Sequence, residues 1–244
     1  MIDARIYGIA KRIQNVRRVL SMVSGKGGVG KSTIASILSL VLKDAGYRVG
    51  LLDLDFHGPA CHIILGIGKF QYHEEHGIRP HIHEGIEFAS IYPFVQDNYV
   101  PLRGRDISNA ITEFLSIINW GDLDFLVIDM PPGMSDPFLD ILRYIPNTEH
   151  IVITTPSKLA LQTVARLLLF LREQKYRIMG IIENMKTYES NIVRKLAEKV
   201  DTKLICEIPY DGNLEESIGN PASLRKTDIY KELKEKLPRI IGEE

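Results

Sequence analysis

Six short apolar runs punctuate the chain without strand-type alternation. They are RRVLSMVS (17–24), YRVGLLDLD (47–55), FLVIDM (125–130), HIVITT (150–155), YRIMGIIEN (176–184) and KLICEI (203–208). Their length, their Val/Ile/Leu content and their Gly, Pro or Asp borders suit strands buried on both faces. Between them lie segments with helical spacing. The first, 32–45, places Ile34, Leu38, Val41 and Leu42 on one face and stops at Gly46, a natural residue just past a helix end. Others span 106–118, 159–173 and 229–237. Strands alternating with helices predict an α/β fold, a doubly wound and mostly parallel sheet. The segment GIRPHIHEGIEFASI (77–91) departs from this pattern. It reads as two extended pieces around Glu84-Gly85, an antiparallel hairpin on one sheet edge. No linker, low-complexity tract or repeat interrupts 1–244, so a single domain is expected.

The bulk numbers narrow the setting. With 244 residues, 45% hydrophobic and 25% charged, the chain can bury a substantial core. A net charge of −1 argues against wholesale binding to nucleic acid or to an anionic membrane. Two cysteines far apart, Cys61 and Cys206, form neither a disulfide framework nor a CxxC metal motif. MIDARIYGIAKRIQNVRR carries scattered charges rather than a signal-length apolar core, and no stretch approaches membrane-spanning length. A reducing, cytoplasmic setting is expected.

The strongest chemistry lies after the first run. Gly25-Lys26-Gly27-Gly28-Val29-Gly30-Lys31-Ser32-Thr33 fits G-x-x-x-x-G-K-[ST], between a predicted buried strand and an amphipathic helix. Glycines let the backbone wrap phosphate so that successive N–H groups point at its oxygens. The helix N-terminus adds partial positive charge. Residues 27–33 are therefore expected to bind ATP or ADP, with Lys31 on the β- and γ-phosphates and the Ser32 hydroxyl on Mg²⁺.

Acidic partners close later runs. Asp53 and Asp55 end LLDLD, and strand C-termini in a parallel sheet gather where ligands bind. Asp55 is the candidate for orienting an attacking water and Asp53 for the magnesium shell; aspartates at strand ends also cap turns. Asp129 follows four apolar residues and precedes Met130-Pro131-Pro132-Gly133, the Walker B arrangement that holds magnesium. Asp136 beyond that turn is given no role other than loop structure or a switch contact.

The lysine at Lys26 resembles the signature of the deviant P-loop ATPases, the class of MinD, ParA and the nitrogenase iron protein. That resemblance implies a homodimer in which Lys26 reaches the partner's nucleotide. SGKGGVGKST, DLDFHGPACHIILG, PLRGRDIS, WGDLDFLVIDMPPGMSD and GIIENM together resemble the Mrp/Nbp family of iron–sulfur cluster scaffolds and carriers, over roughly residues 17 to 225. By this resemblance Asn184 contacts adenine and the Pro209-Tyr210-Asp211 loop closes over the base. Client or carrier proteins of iron–sulfur assembly become expected partners. One departure bears on function: cluster-carrying members have a CxxC pair soon after the Asn-Met, whereas here the chain continues KTYESNIVRKL. A bridged cluster needs two close thiolates per chain. The ATPase half of the resemblance thus transfers, and the cluster half does not. Rival readings are a non-catalytic metal or cluster scaffold gated by ATP and a MinD/ParA-like spatial regulator.

Two further groups need placing. His73, His76, His81 and His83 could bind a transition metal, although Glu74, Glu75 and Glu84 make the same stretch an ordinary hydrophilic edge. DIYKELKEKLPRIIGEE has an apolar stripe, Ile229, Leu233 and Leu237, that could meet a membrane; its acidic residues and Pro238 favour packing on its own domain, and no stable membrane binding is expected.

Overall fold

The computed structural model describes residues 4–95 and 104–243. In chain order the elements begin with α1 (Ala4–Arg12), β1 (Val16–Ser24), α2 (Lys31–Asp44), β2 (Val49–Asp53), α3 (Cys61–Leu65), β3 (His73–Glu74), β4 (Ile78–Arg79), β5 (His81–His83), β6 (Ile86–Ser90) and α4 (Tyr92–Val95). They continue with α5 (Gly104–Ile117), β7 (Leu123–Asp129), α6 (Asp136–Tyr144), β8 (Glu149–Thr154), α7 (Lys158–Glu173), β9 (Arg177–Lys186), α8 (Ile192–Lys199) and β10 (Leu204–Pro209). The chain closes through α9 (Leu214–Ser217), α10 (Pro221–Leu224), α11 (Asp228–Glu235) and α12 (Leu237–Ile241). Of the PLRGRDIS segment, 101–103 lie outside the described residues.

The six apolar runs become six of the eight strands of the main sheet, β10, β9, β8, β1, β7 and β2. The sheet order is β10-β9-β8-β1-β7-β2-β6-β5, and every pairing is parallel except β5 with β6. The edge hairpin is therefore present. Glu84 and Gly85 both have positive φ, 51° and 75°, the two-residue turn that matches strand twist. β1 sits between β7 and β8, so the connection after it leaves toward β2 while later strands build on its other side. That reversal opens a crevice at the C-terminal end of β1, where ligands of such sheets bind.

Side chains alternating across the strands feed two cores. Leu20, Met22, Leu51, Val127 and Ile153 face α2, α11 and α12; Val19, Val23, Leu52, Ile128 and Val152 face α1, α5, α6, α7 and α8. The spacing in 32–45 indicates one apolar face, yet Ile34 through Leu42 are all buried. The difference arises because α2 is enclosed by the sheet, α3 and α11. Its small polar residues adapt: Ser39 Oγ donates to the Ala35 carbonyl at 2.8 Å. The helix ends as the sequence indicates. Gly46 (φ 94°) lets its own N–H reach the Lys43 carbonyl at 3.0 Å and that of Tyr47 the Leu42 carbonyl at 3.2 Å, a Schellman closure.

The terminal stripe is spent inside the molecule, with Ile229, Leu233 and Leu237 all buried. No helix among the described residues is long and apolar enough to cross a membrane. Cys206 is buried in β10 at the sheet edge, and burial pushes its thiol up to about 12. Cys61 opens α3 beside α2, and neither thiol is in a disulfide.

Candidate functional site

The loop 25–30 is shaped by close approach. A Cβ on Gly25 would lie 2.7 Å from the Thr163 backbone, so α7 can pack there only against glycine. Gly30 has φ 83° and leads directly into α2. Its absent Cβ would stand 2.3 Å from Asn184 Nδ2. Gly27 and Gly28 meet nothing on that side, which leaves their backbone open to the cleft. The cleft, about 240 Å³, is lined by residues 26–33 together with Ser24, Asp55, Ala60, Ile64 and Pro132. Main-chain bonds fix its walls: Gly133 N–H donates to the Ser24 carbonyl at 3.0 Å, and Leu54 N–H to the Asp129 carbonyl at 3.0 Å.

Lys31, the first residue of α2, turns inward and forms a buried ion pair with Asp129. Burial alone would lower the lysine's pKa, but the facing carboxylate outweighs it, assisted by Asp55 and Asp53, and the net shift is upward. Asp53 and Asp129 are direct neighbours in adjacent strands. Asp53 is wholly buried, accepting from Asp55 N–H on Oδ1 and from the Ala60 and Cys61 N–H groups on Oδ2, each at 3.1 Å. Burial and then Asp129 raise its pKa. These three bonds cap the turn that follows β2 and hold Asp53 against Asp129. Asp55 is half-buried on the cleft wall. It accepts from His57 and Gly58 N–H, at 3.3 and 3.2 Å, and burial raises its pKa. Lys26 is partly exposed at the mouth and has no ion-pair partner among the described residues.

Residues expected at the base lie on the neighbouring strand ends. Asn184 is buried on β9, donating from Nδ2 to the Val29 carbonyl at 2.9 Å, while its Oδ1 has no partner among the described residues. Pro209 ends β10 and, with Lys186, Tyr188 and Glu207, borders a second cleft of about 550 Å³. Asp211 is committed locally, accepting from Asn213 N–H at 2.9 Å and Asp228 N–H at 2.8 Å. Asp136 begins α6 rather than a loop.

The four histidines form no single ligand group among the described residues, although the His81 and His83 rings lie 6.4 Å apart. His81 stacks on Phe70 at 4.6 Å, His83 Nε2 contacts the Leu65 carbonyl at 2.9 Å, and His73 is exposed in the small β3–β4 pair. Among the described residues the only grouping with metal-ligand spacing is Asp53, Cys61 and Asp129. Cys61, which lies in the switch-like segment after Asp55, is the member with no role in the phosphate site. Its signal was the Gly58-Pro59 turn, which folds the chain back toward Asp53.

A glycine cradle, an inward lysine and facing carboxylates at the switch point of a parallel sheet define a P-loop NTPase. The chain belongs to the NUBPL iron-transfer P-loop NTPase family, whose model matches residues 15–243. It is 33% identical over 239 residues to an iron-sulfur cluster carrier protein of Saccharolobus solfataricus, covering 90% of this chain and 81% of that one. It is 37% identical over 207 residues to the protein of the same name from Rickettsia conorii, covering 84% of this chain and 65% of its relative, just under two thirds. Among solved structures, a nucleotide-binding protein of Archaeoglobus fulgidus in complex with ADP superposes with a TM-score of 0.77 at 28% identity, covering 93% of this chain and 95% of that one. The cell division ATPase MinD of Pyrococcus furiosus shares the fold at TM-score 0.67 and 21% identity, over 92% and 100% of the two chains.

Proposed function

We propose that this chain is a Mg²⁺-dependent ATPase switch that works slowly, as a nucleotide-sandwich homodimer, in iron–sulfur cluster assembly or transfer. The observation that carries the reading is the Lys31–Asp129 pair buried at the floor of the glycine cleft. A lysine held this way is positioned for phosphate oxygens, and its carboxylate partner for a cation. The donor set fits: Ser32 and Asp129 offer the hard oxygens that magnesium prefers. When bound, magnesium would neutralise charge that develops on the phosphates.

The protein's own residues do the rest. N–H groups of 27–33 cradle the phosphates, and Lys31 exchanges Asp129 for the β- and γ-phosphates. Asp55, on the cleft wall, orients the attacking water. Asp53 holds the 55–61 turn in place through its three accepted bonds. Asn184 supports the loop from behind and has Oδ1 left for the base, with Pro209 and Asp211 beside it. Lys26, partly exposed and without an ion-pair partner among the described residues, is available to a partner's nucleotide. Burial of the α11 stripe supports a helix that serves its own domain rather than a membrane.

Phosphate release from ATP, with and without Mg²⁺, tests the ATPase, and Asp55→Asn should abolish it while nucleotide binding persists. Lys26→Gln should abolish ATP-driven dimerisation by light scattering; unchanged dimerisation overturns the trans role. A cluster-carrying scaffold is the second reading, favoured by the names of the relatives. Anaerobic reconstitution decides it: a stable cluster lost in Cys61→Ser or Cys206→Ser would replace the switch reading.

A further inference from the structure

Beneath the phosphate loop lies a donor that magnesium chemistry does not call for. The turn at Gly58-Pro59 carries Cys61 under α2, where its thiol is completely buried. Cys61 Sγ lies 3.7 Å from Asp129 Oδ2 and 3.9 Å from the Ser32 carbonyl oxygen. Ligand atoms of Cys61, Asp53 and Asp129 all fall within 4.8 Å of one another. Ligands held about 2.0–2.3 Å from one ion can stand at most roughly 4.6 Å apart, so the three need little movement to share a cation.

A second observation points the same way. Ser36, one helical turn beyond Ser32, is fully buried beside the Cys61 thiol, and its hydroxyl makes no hydrogen bond of normal geometry among the described residues. An additional oxygen donor is thus aimed at the cluster. Each carboxylate oxygen that already accepts a hydrogen bond keeps a second lone pair. Sulfur beside two carboxylates suits borderline and soft metals, whereas oxygen alone suits magnesium.

We propose that Cys61, Asp129 and Asp53 form a site for one thiophilic divalent cation of the zinc and cadmium class, under the phosphate loop and in competition with the Lys31–Asp129 pair. On binding, the S–H bond gives way to a sulfur–metal bond and the proton leaves to solvent, with no electron transferred. A cation held beside the thiol on Asp129 Oδ2 would draw on the same carboxylate that Lys31 pairs with through Oδ1 and that magnesium would need. The consequence, a nucleotide switch silenced by soft cations, rests on the ATPase reading; the binding itself does not.

The test uses Cd²⁺ alone on the nucleotide-free full chain, followed by calorimetry and by the ultraviolet charge-transfer absorption of a cadmium thiolate. One equivalent should bind with that absorption. The band should vanish in Cys61→Ala, persist in Cys206→Ala, and Asp129→Asn, which retains the thiol, should weaken binding about tenfold or more. Circular dichroism identifies a variant that fails to fold, in which case Cys61→Ser and Asp129→Asn decide. A wild type without the band, a band surviving loss of Cys61, a band lost with Cys206, or unchanged affinity in Asp129→Asn would each overturn the proposal. ATP binding is measured separately on the metal-free chain, so its failure would remove the switch reading and leave the cadmium result standing.

Discussion

Lys31 and Asp129, 98 residues apart in sequence, form an ion pair in which the lysine is 6% exposed and the aspartate fully buried. Two charges taken out of water depend on each other, and removing one strands its partner. Lys31→Met or Asp129→Leu alone should each lower stability by about 3–5 kcal/mol. The double change should cost several kcal/mol less than the sum of the two. Urea denaturation of the four proteins checks this, and purely additive losses would show that the pair is not coupled.

Gly30 gives the second prediction. A methyl group there meets Asn184 Nδ2 at 2.3 Å and also sits at φ 83°, in the left-handed region. Gly30→Ala should therefore destabilise by roughly 1–3 kcal/mol and weaken nucleotide binding. Pairing it with Asn184→Ala removes the collision and leaves the backbone strain, so stability should recover in part. Full recovery, or none, in thermal melts would show that only one of the two causes operates.

Legibility followed the range of the interactions. Buried strands announced themselves because their neighbours on both faces demand continuous Val, Ile and Leu, and the phosphate loop because its glycines serve local backbone needs. Glu84-Gly85 was legible for the same reason: a two-residue turn with two positive φ values leaves few alternatives. The helices α1, α6 and α8 carry no comparable signal: each is short, and only two residues separate α6 from Pro-Pro-Gly, where the sequence signals an irregular loop. The sequence did place Asp53 beside the loop, but its three accepted N–H bonds depend on how residues 55–61 fold back. Cys61 was least legible, since its contacts with Asp129 and Ser32 span 68 and 29 residues.

Arg225 shows the same long-range dependence and can be tested. From the end of α10 it donates Nε and Nη2 to Asp44, at 2.7 and 3.0 Å, and Nη1 to Glu84 at 2.9 Å. Tyr230 adds a bond to Asp44 at 2.7 Å. One guanidinium thereby joins the C-terminal helices, the end of α2 and the edge hairpin. A lysine has no planar fork to hold both carboxylates. Arg225→Lys should cost on the order of 1 kcal/mol and raise hydrogen exchange at residues 81–86 before it affects β1. Uniform exchange across both regions would argue against a local clamp.

The final prediction concerns acid. His150 is fully buried on β8, its Nδ1 2.6 Å from Ser21 Oγ and its Nε2 without a partner among the described residues. Burial pushes its pKa down to about 4. An unfolded chain takes up this proton below about 6.5, whereas the folded chain refuses it until about 4. The contribution is therefore complete above about pH 6.5 and is lost as pH falls toward 4, by about 3 kcal/mol. Buried carboxyls complicate the raw profile. Glu183, raised to about 7 chiefly by burial, keeps its proton when folded and so opposes stability as pH rises from about 4.5 through 7. The comparison must thus be a difference. Ser21→Ala/His150→Leu removes the buried dyad together and leaves no orphaned partner. The stability gap between wild type and this variant should shift in favour of the variant by about 3 kcal/mol between pH 7 and pH 4. A gap that stays constant across that range in urea titrations would mean that His150 titrates as an ordinary histidine in the folded protein.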